Sequence, residues 1–133
     1  LGGVRDVSLK AGRITVTMTP TFSGCPALEV MAEDVQRHLG ELGAEDVDVV
    51  WVYDPPWSSD WIKPQARERM KTIGLSPPAM HQGAVNVVLM EPGECPLCAS
   101  TNTSLTNTFG TTPCRMMYVC NDCREPFEQF KPL

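Results

Sequence analysis

Two short cysteine pairs near the end of this chain, Cys95-Pro96-Leu97-Cys98 and Cys120-Asn121-Asp122-Cys123, limit what that region can become. A two-residue spacer lets both thiolates of a pair reach one metal ion. Two such pairs about twenty residues apart complete a tetrahedral four-cysteine site. The intervening segment, ASTNTSLTNTFGTTPCRMMYV, is dominated by small polar side chains. It offers too little apolar surface to fold by burial alone, so bound metal is expected to supply the missing folding free energy. The spacing is that of a zinc ribbon, with Cys95, Cys98, Cys120 and Cys123 as ligands of a structural Zn2+.

Five of the six cysteines lie in the last forty residues, whereas secreted disulfide frameworks spread cysteines along the chain. Paired knuckles point instead to a metal and to a reducing, cytoplasmic setting. Cys114 is the odd cysteine of the tail and is read as a spectator. Four thiolates suit iron–sulfur clusters as well as zinc, and Cys114 could replace one of them in a cluster. Zinc is preferred because paired knuckles are most often structural zinc sites.

The net charge is −5, with 8 Lys/Arg against 12 Asp/Glu in residues 1–91 and 3 against 4 in residues 92–133. Neither part offers the basic face that sequence-independent nucleic-acid binding needs. No apolar run is long enough for a transmembrane helix, so no membrane partner is expected. No signal peptide is visible, but Leu1 is not a natural start, and the chain is expected to begin partway into a fold.

Ahead of the tail, residues 4–9 and 13–19 read as a β-hairpin. Ile14, Val16 and Met18 alternate with Thr15, Thr17 and Thr19, and Lys10-Ala11-Gly12 supplies the turn. A helix is predicted from Pro26, with Leu28, Met31, Val35, Leu39 and Leu42 as one apolar stripe and Gly43 as its stop. Asp46–Tyr53 reads as a central strand because both its faces are apolar. A second helix is predicted from about Asp60 or Pro64 to Ile73, with Ile62, Ala66, Met70 and Ile73 inward. Val85, Val87 and Leu89 make a last alternating strand, and Pro92-Gly93 marks the boundary with the ribbon. The expected architecture is α+β, in the order β-β-α-β-α-β. It places a mixed sheet with helices on one face in residues 1–91, followed by the four-cysteine ribbon in 92–133.

Cys25 is the candidate outside the tail. It sits in a loop before the predicted helix, where free N–H groups and the helix dipole favour a thiolate. It could ligate a metal or cluster, act as a nucleophile, or simply fill space under the helix. His38 lies about 18 Å along the helix from it by helical rise, too far for proton transfer. His81 lies in a loop of unknown position. No Ser-His-Asp set, phosphate-cradling Gly loop or HExxH is visible. The PPWSSDW segment reads either as a rigid turn whose Ser58 or Ser59 caps the next helix, or as an aromatic contact patch.

Together, LGGVRDV, TPTFSGCPALEVM, DPPWSSDWI and GLSPP resemble the SufT-like domain of iron–sulfur assembly factors. The tail CPLCASTNTSLTNTFGTTPCRMMYVCNDCREPFEQFK resembles the ribbon of its PaaD branch, which is encoded with a multicomponent phenylacetyl-CoA epoxidase. The resemblance implies a non-enzymatic accessory or maturation factor in aerobic phenylacetate degradation. It maps the family's single motif cysteine onto Cys25, which would hold iron or a cluster transiently, shared across a homodimer because one cysteine cannot hold a cluster alone. The implied partners are subunits of the epoxidase complex, either the di-iron oxygenase or the reductase carrying flavin and a [2Fe–2S] cluster. Such domains usually carry a helix and a DPE-containing segment upstream of Leu1. Two rival readings stand beside this one. One is a stoichiometric structural subunit without cofactor chemistry; the other is a thiol-dependent redox enzyme using Cys25 or Cys114.

Overall fold

Alternation along Arg13–Met18 produces the first built feature, a hairpin of β1 (Val4–Lys10) and β2 (Arg13–Met18). The two-residue turn holds both Ala11 (φ 50°) and Gly12 (φ 85°) in the left-handed region, which suits the twist of the flanking strands. Val7 pairs with Val16, Leu9 with Ile14 and Val4 with Met18. A bulge between Val4 and Asp6 keeps Val4 on the same face as Val7 and Leu9 despite its odd spacing.

This computed structural model describes residues 1–81 and 92–133, and the chain divides into two units, Gly2–Trp57 and Ser58–Leu133. The expected strand through Val85, Val87 and Leu89 lies outside the described residues.

In the first unit, helix α1 (Leu28–Glu41) returns the chain so that β3 (Asp46–Trp51) pairs parallel to β2. The sheet is therefore mixed, in the order β1-β2-β3. Among the described residues β2 is the central strand. Val50, expected within a well-covered β3, is 39% exposed. Helix α1 starts two residues later than predicted, because Cys25 to Leu28 forms a turn in which the Leu28 N–H donates to the Cys25 carbonyl. No residue of α1 is fully buried, and Met31 is 40% exposed. Leu42, expected on the stripe, lies past the helix end and is 83% exposed. Val35 and Leu39 do face the sheet, lining an apolar groove with Val4, Val7 and Val16.

The second unit opens with a single 3-10 turn at Ser59–Trp61, capped by Ser58 Oγ accepting from the Asp60 N–H. Helix α2 (Pro64–Thr72) carries proline at its first position, as its lack of an N–H favours. Ile62 and Met70 are buried as expected, but Ile73 ends the helix pointing to solvent. A two-residue strand, β4 (Leu75–Ser76), pairs parallel to β7 (Pro126–Phe130). With β5 (Thr103–Asn107) and β6 (Arg115–Cys120) this forms a four-stranded sheet in the order β4-β7-β6-β5.

The ribbon core is small and specific. Cys95, Met116, Tyr118, Cys120 and Phe127 form one buried cluster, with Cys123 packed against it. Tyr118 and Phe127 are cross-strand partners whose rings stack at 5.7 Å. Glu128 closes the far end. It accepts from the Thr111 N–H at 2.6 Å, from the Thr111 hydroxyl and from Arg115 Nη1 at 2.8 Å. Burial pushes its carboxyl up, but these three donors together hold it below the usual carboxylate range.

Candidate metal centre

Each knuckle is shaped by its own backbone. In the first, the Cys95 N–H donates to the Ser100 carbonyl and the Ala99 N–H returns to the Cys95 carbonyl. In the second, the Cys120 N–H donates to the Glu125 carbonyl and the Arg124 N–H to the Cys120 carbonyl. The two loops are built alike. Both need a left-handed residue just after their second cysteine, and Ala99 (φ 62°) and Arg124 (φ 67°) fill that position although neither is glycine. Cys120 is the last residue of β6, so the sheet fixes one knuckle. Its ladder partner Thr103 sits just past the other.

This folding brings the four sulfurs of Cys95, Cys98, Cys120 and Cys123 within 4.8 Å of one another. Cys95 and Cys123 are 3.8 Å apart, and Cys98 and Cys120 are 3.5 Å apart. Metal–thiolate bonds of about 2.3 Å in a tetrahedron give sulfur–sulfur edges of about 3.8 Å. The cage therefore fits one four-coordinate cation. A polynuclear cluster spreads its cysteines over two or more irons and needs a wider frame. Cys95 and Cys120 are buried while Cys98 is exposed, so the cage has one open side.

The thiols do not lose protons equally. Cys120 is brought down to about 7, chiefly because the Cys123 N–H points at its sulfur, and the Asp122 N–H adds to this against the opposing effect of burial. Cys98 is pushed up to about 12: the Ser100 N–H pulls it down, but the crowded sulfurs of Cys120, Cys123 and Cys95 and burial outweigh that. A dication entering the cage must displace protons, so acid opposes loading.

The family described as "PaaD zinc beta ribbon domain" matches residues 87–131, and the one described as "Iron-sulfur cluster assembly protein" matches residues 1–52. A protein of Escherichia coli (strain K12), provisionally named as a component of 1,2-phenylacetyl-CoA epoxidase, is 42% identical over 98% of this chain and 78% of its own length. The chain belongs to the PaaD family. A Bacillus subtilis (strain 168) protein, named Fe-S protein maturation auxiliary factor YitW, is 37% identical over 45% of this PaaD-family chain and 61% of its own length. A crystal structure of a DUF59 domain from Bacillus anthracis superposes with a TM-score of 0.50 at 30% identity, covering 53% of this chain and 69% of that one.

The other residues singled out from the sequence are not among the four cysteines of the cage of this PaaD-family ribbon. Cys25 is half-buried in a turn of the first unit, its N–H donating to the Phe22 carbonyl. The Phe22 ring lies over Gly24, where a Cβ would stand 3.2 Å from it. Cys114 is half-buried beside Thr112 Oγ1, at 3.2 Å. His38 bonds the Asp34 carbonyl of its own helix. Trp57, weighed as a contact residue, is only 5% exposed.

One grouping escaped the sequence reading, which saw no Ser-His-Asp set. His81 Nε2 lies 3.2 Å from Ser59 Oγ, and Nδ1 lies 3.5 Å from Asp60 Oδ2. It does not form a nucleophilic triad. Ser59 is fully buried, and Nε2 also faces the Leu133 carbonyl oxygen at 3.0 Å. The same oxygen accepts from the Ser59 N–H at 2.7 Å. The group braces Leu133 against the 3-10 turn. Arg67 adds to it by donating to the Ser59, Ile62 and Pro78 carbonyls. Separations of about twenty and fifty residues hide such a brace from any local pattern.

Proposed function

We propose that this protein is a non-enzymatic accessory factor that helps to assemble an iron or iron–sulfur cofactor of a phenylacetyl-CoA epoxidase in the cytoplasm. The observation that carries the reading is the pairing, in one chain, of an iron–sulfur assembly match over residues 1–52 with a PaaD ribbon match over 87–131. Relatives named as Fe-S maturation factors support the assembly role for the first part. The relative named as an epoxidase component supports the client.

In this reading Cys95, Cys98, Cys120 and Cys123 hold one structural zinc ion, which staples residues 92–133. The cage dimensions and the four-thiolate donor set support zinc. Cys25 receives or hands over the iron cargo, shared with a second copy of the chain. The ribbon docks on the oxygenase or the reductase component. Among the described residues no helix is long and apolar enough to cross a membrane.

The test is Cys25→Ser in cells that depend on this chain for epoxidase activity. The variant is expected to fold and keep its ribbon zinc while epoxidase activity is lost. Full activity with Cys25→Ser would remove the transfer role. A second reading is favoured by the Escherichia coli relative, whose name makes it part of the epoxidase itself: a stoichiometric structural component with no cofactor chemistry. It requires one-to-one co-purification with the oxygenase and indifference to Cys25.

A further inference from the structure

The backbone bonds that shape each knuckle are internal to it. The cage nevertheless needs four sulfurs from segments about twenty residues apart held together at once, at an entropic cost. What spans the gap, beside the buried cluster that holds Cys95 and Cys120, is a network of exposed polar side chains. The Asp122 carboxylate, inside the second knuckle, accepts from Ser100 Oγ just past the first knuckle and from Asn102 Nδ2 at 2.8 Å. Ser100 Oγ in turn accepts from the Asn102 N–H at 3.0 Å. The Asn121 amide donates to Asn102 Oδ1 at 3.0 Å and to Ser104 Oγ at 2.9 Å. The Asn121 N–H donates to the Asn102 carbonyl at 2.9 Å. The β5–β6 ladder begins only at Thr103, so Ser100–Asn102 depends on these contacts.

We propose that Asp122 is the positioning residue of the metal centre, latching the first knuckle onto the second through Ser100 and Asn102 before metal arrives. This rests on the four-cysteine cage binding a metal. Asp122 is the hub because one carboxylate takes two donors from the opposite segment, and hydrogen bonds to a charged acceptor are the stronger kind. The latch also accounts for the composition of the segment after Cys98. Ser100, Asn102 and Ser104 supply short donors and acceptors that longer side chains could not place so tightly. Partners that orient a metal's ligands typically affect affinity by about 10–100-fold. Asp122 acts one step further out, through the loop rather than on a sulfur, so the lower end of that range applies.

The experiment is competition of the full chain against a chromophoric chelator for Zn2+, with the Co2+ spectrum at saturating metal as a second readout. Asp122→Ala is expected to weaken Zn2+ binding by about tenfold. Asp122→Asn, which keeps one oxygen acceptor, is expected to weaken it less. The tetrahedral tetrathiolate Co2+ bands should be unchanged in both, because the ligands are untouched. Ser100→Ala combined with Asp122→Ala should cost less than the sum of the two single variants, because both remove the same Ser100–Asp122 bond.

Asp122→Ala within twofold of the parent chain, or strictly additive Ser100 and Asp122 effects, would each overturn the proposal. If the parent chain gives neither Zn2+ binding nor Co2+ thiolate bands, the underlying metal-site reading fails instead.

Discussion

Gly93 stands two residues before the first cysteine of the metal cage, in a space that excludes any side chain. A Cβ there would meet Ser76 Oγ at 2.5 Å, Gln129 Cδ at 2.8 Å and Gln129 Oε1 at 2.9 Å. Ser76 and Gln129 are about 1% exposed, so neither can swing away. Gly93 also bonds in both directions. Its N–H donates to Gln129 Oε1 at 3.2 Å, and its carbonyl accepts from Thr103 Oγ1 at 3.1 Å. Forcing a methyl group into such a site costs about 1–3 kcal/mol. Losing the Gln129 bond adds roughly 0.5–1.5 kcal/mol. Gly93→Ala is therefore expected to destabilise the ribbon by about 2–4 kcal/mol. It should also weaken metal binding, because the displaced segment leads straight into Cys95. Urea unfolding with saturating zinc, followed through tryptophan fluorescence and the ribbon's amide exchange, measures the first effect. A loss below about 0.5 kcal/mol would show that the β4–β7 contact does not confine Gly93.

Other outcomes follow from the same core. Tyr118 is 1% exposed, and its hydroxyl has no hydrogen-bond partner among the described residues. Removing that hydroxyl while keeping the stack on Phe127 should be stabilising, so Tyr118→Phe is expected to gain about 1 kcal/mol in thermal or urea unfolding. A loss of similar size would mean that the hydroxyl is satisfied. Glu128 is held below its ordinary carboxylate range, so its ionised form stabilises the fold. That stability is fully present above the unfolded-state value near 4.5 and is lost as pH falls through the lower folded value. The stability gap between the parent chain and Glu128→Gln should therefore be constant at neutral pH and close on acidification below about 4.5. A gap independent of pH down to about 2 would contradict this assignment. Stripping metal with a strong chelator at neutral pH should unfold the ribbon cooperatively while leaving the exchange protection of β1–β3 in place. Retained protection in β5–β7 would show that the small core suffices without metal.

Periodicity served well where backbone pattern alone decides structure. The alternation in Arg13–Met18 and the Lys10-Ala11-Gly12 turn marked the hairpin, and of the two expected starts for the second helix, Asp60 and Pro64, Pro64 is where α2 begins. The knuckles were equally plain, because metal-ligand spacing is a local property of the sequence. Features set by tertiary contact were hidden. The two-residue β4 exists only through its parallel pairing with β7, and β5 is built from Thr, Ser, Leu and Asn with no apolar alternation. The left-handed Ala99 and Arg124 carried no glycine to mark them. Leu42 fitted the helical stripe by spacing but falls just beyond the last turn. The Asp122 latch and the His81 brace join residues about twenty or more positions apart, so neither leaves a short motif.

What the four cysteines hold is the property that matters most for this chain. Metal and acid-labile sulfide should be measured on full-length protein purified without oxygen, with its visible spectrum. One zinc ion per chain, no sulfide and no visible absorption from the ribbon, with the zinc lost when Cys95→Ser and Cys120→Ser are combined, is the expected result. Iron with sulfide and charge-transfer bands that vanish in the same double variant would contradict a mononuclear structural site.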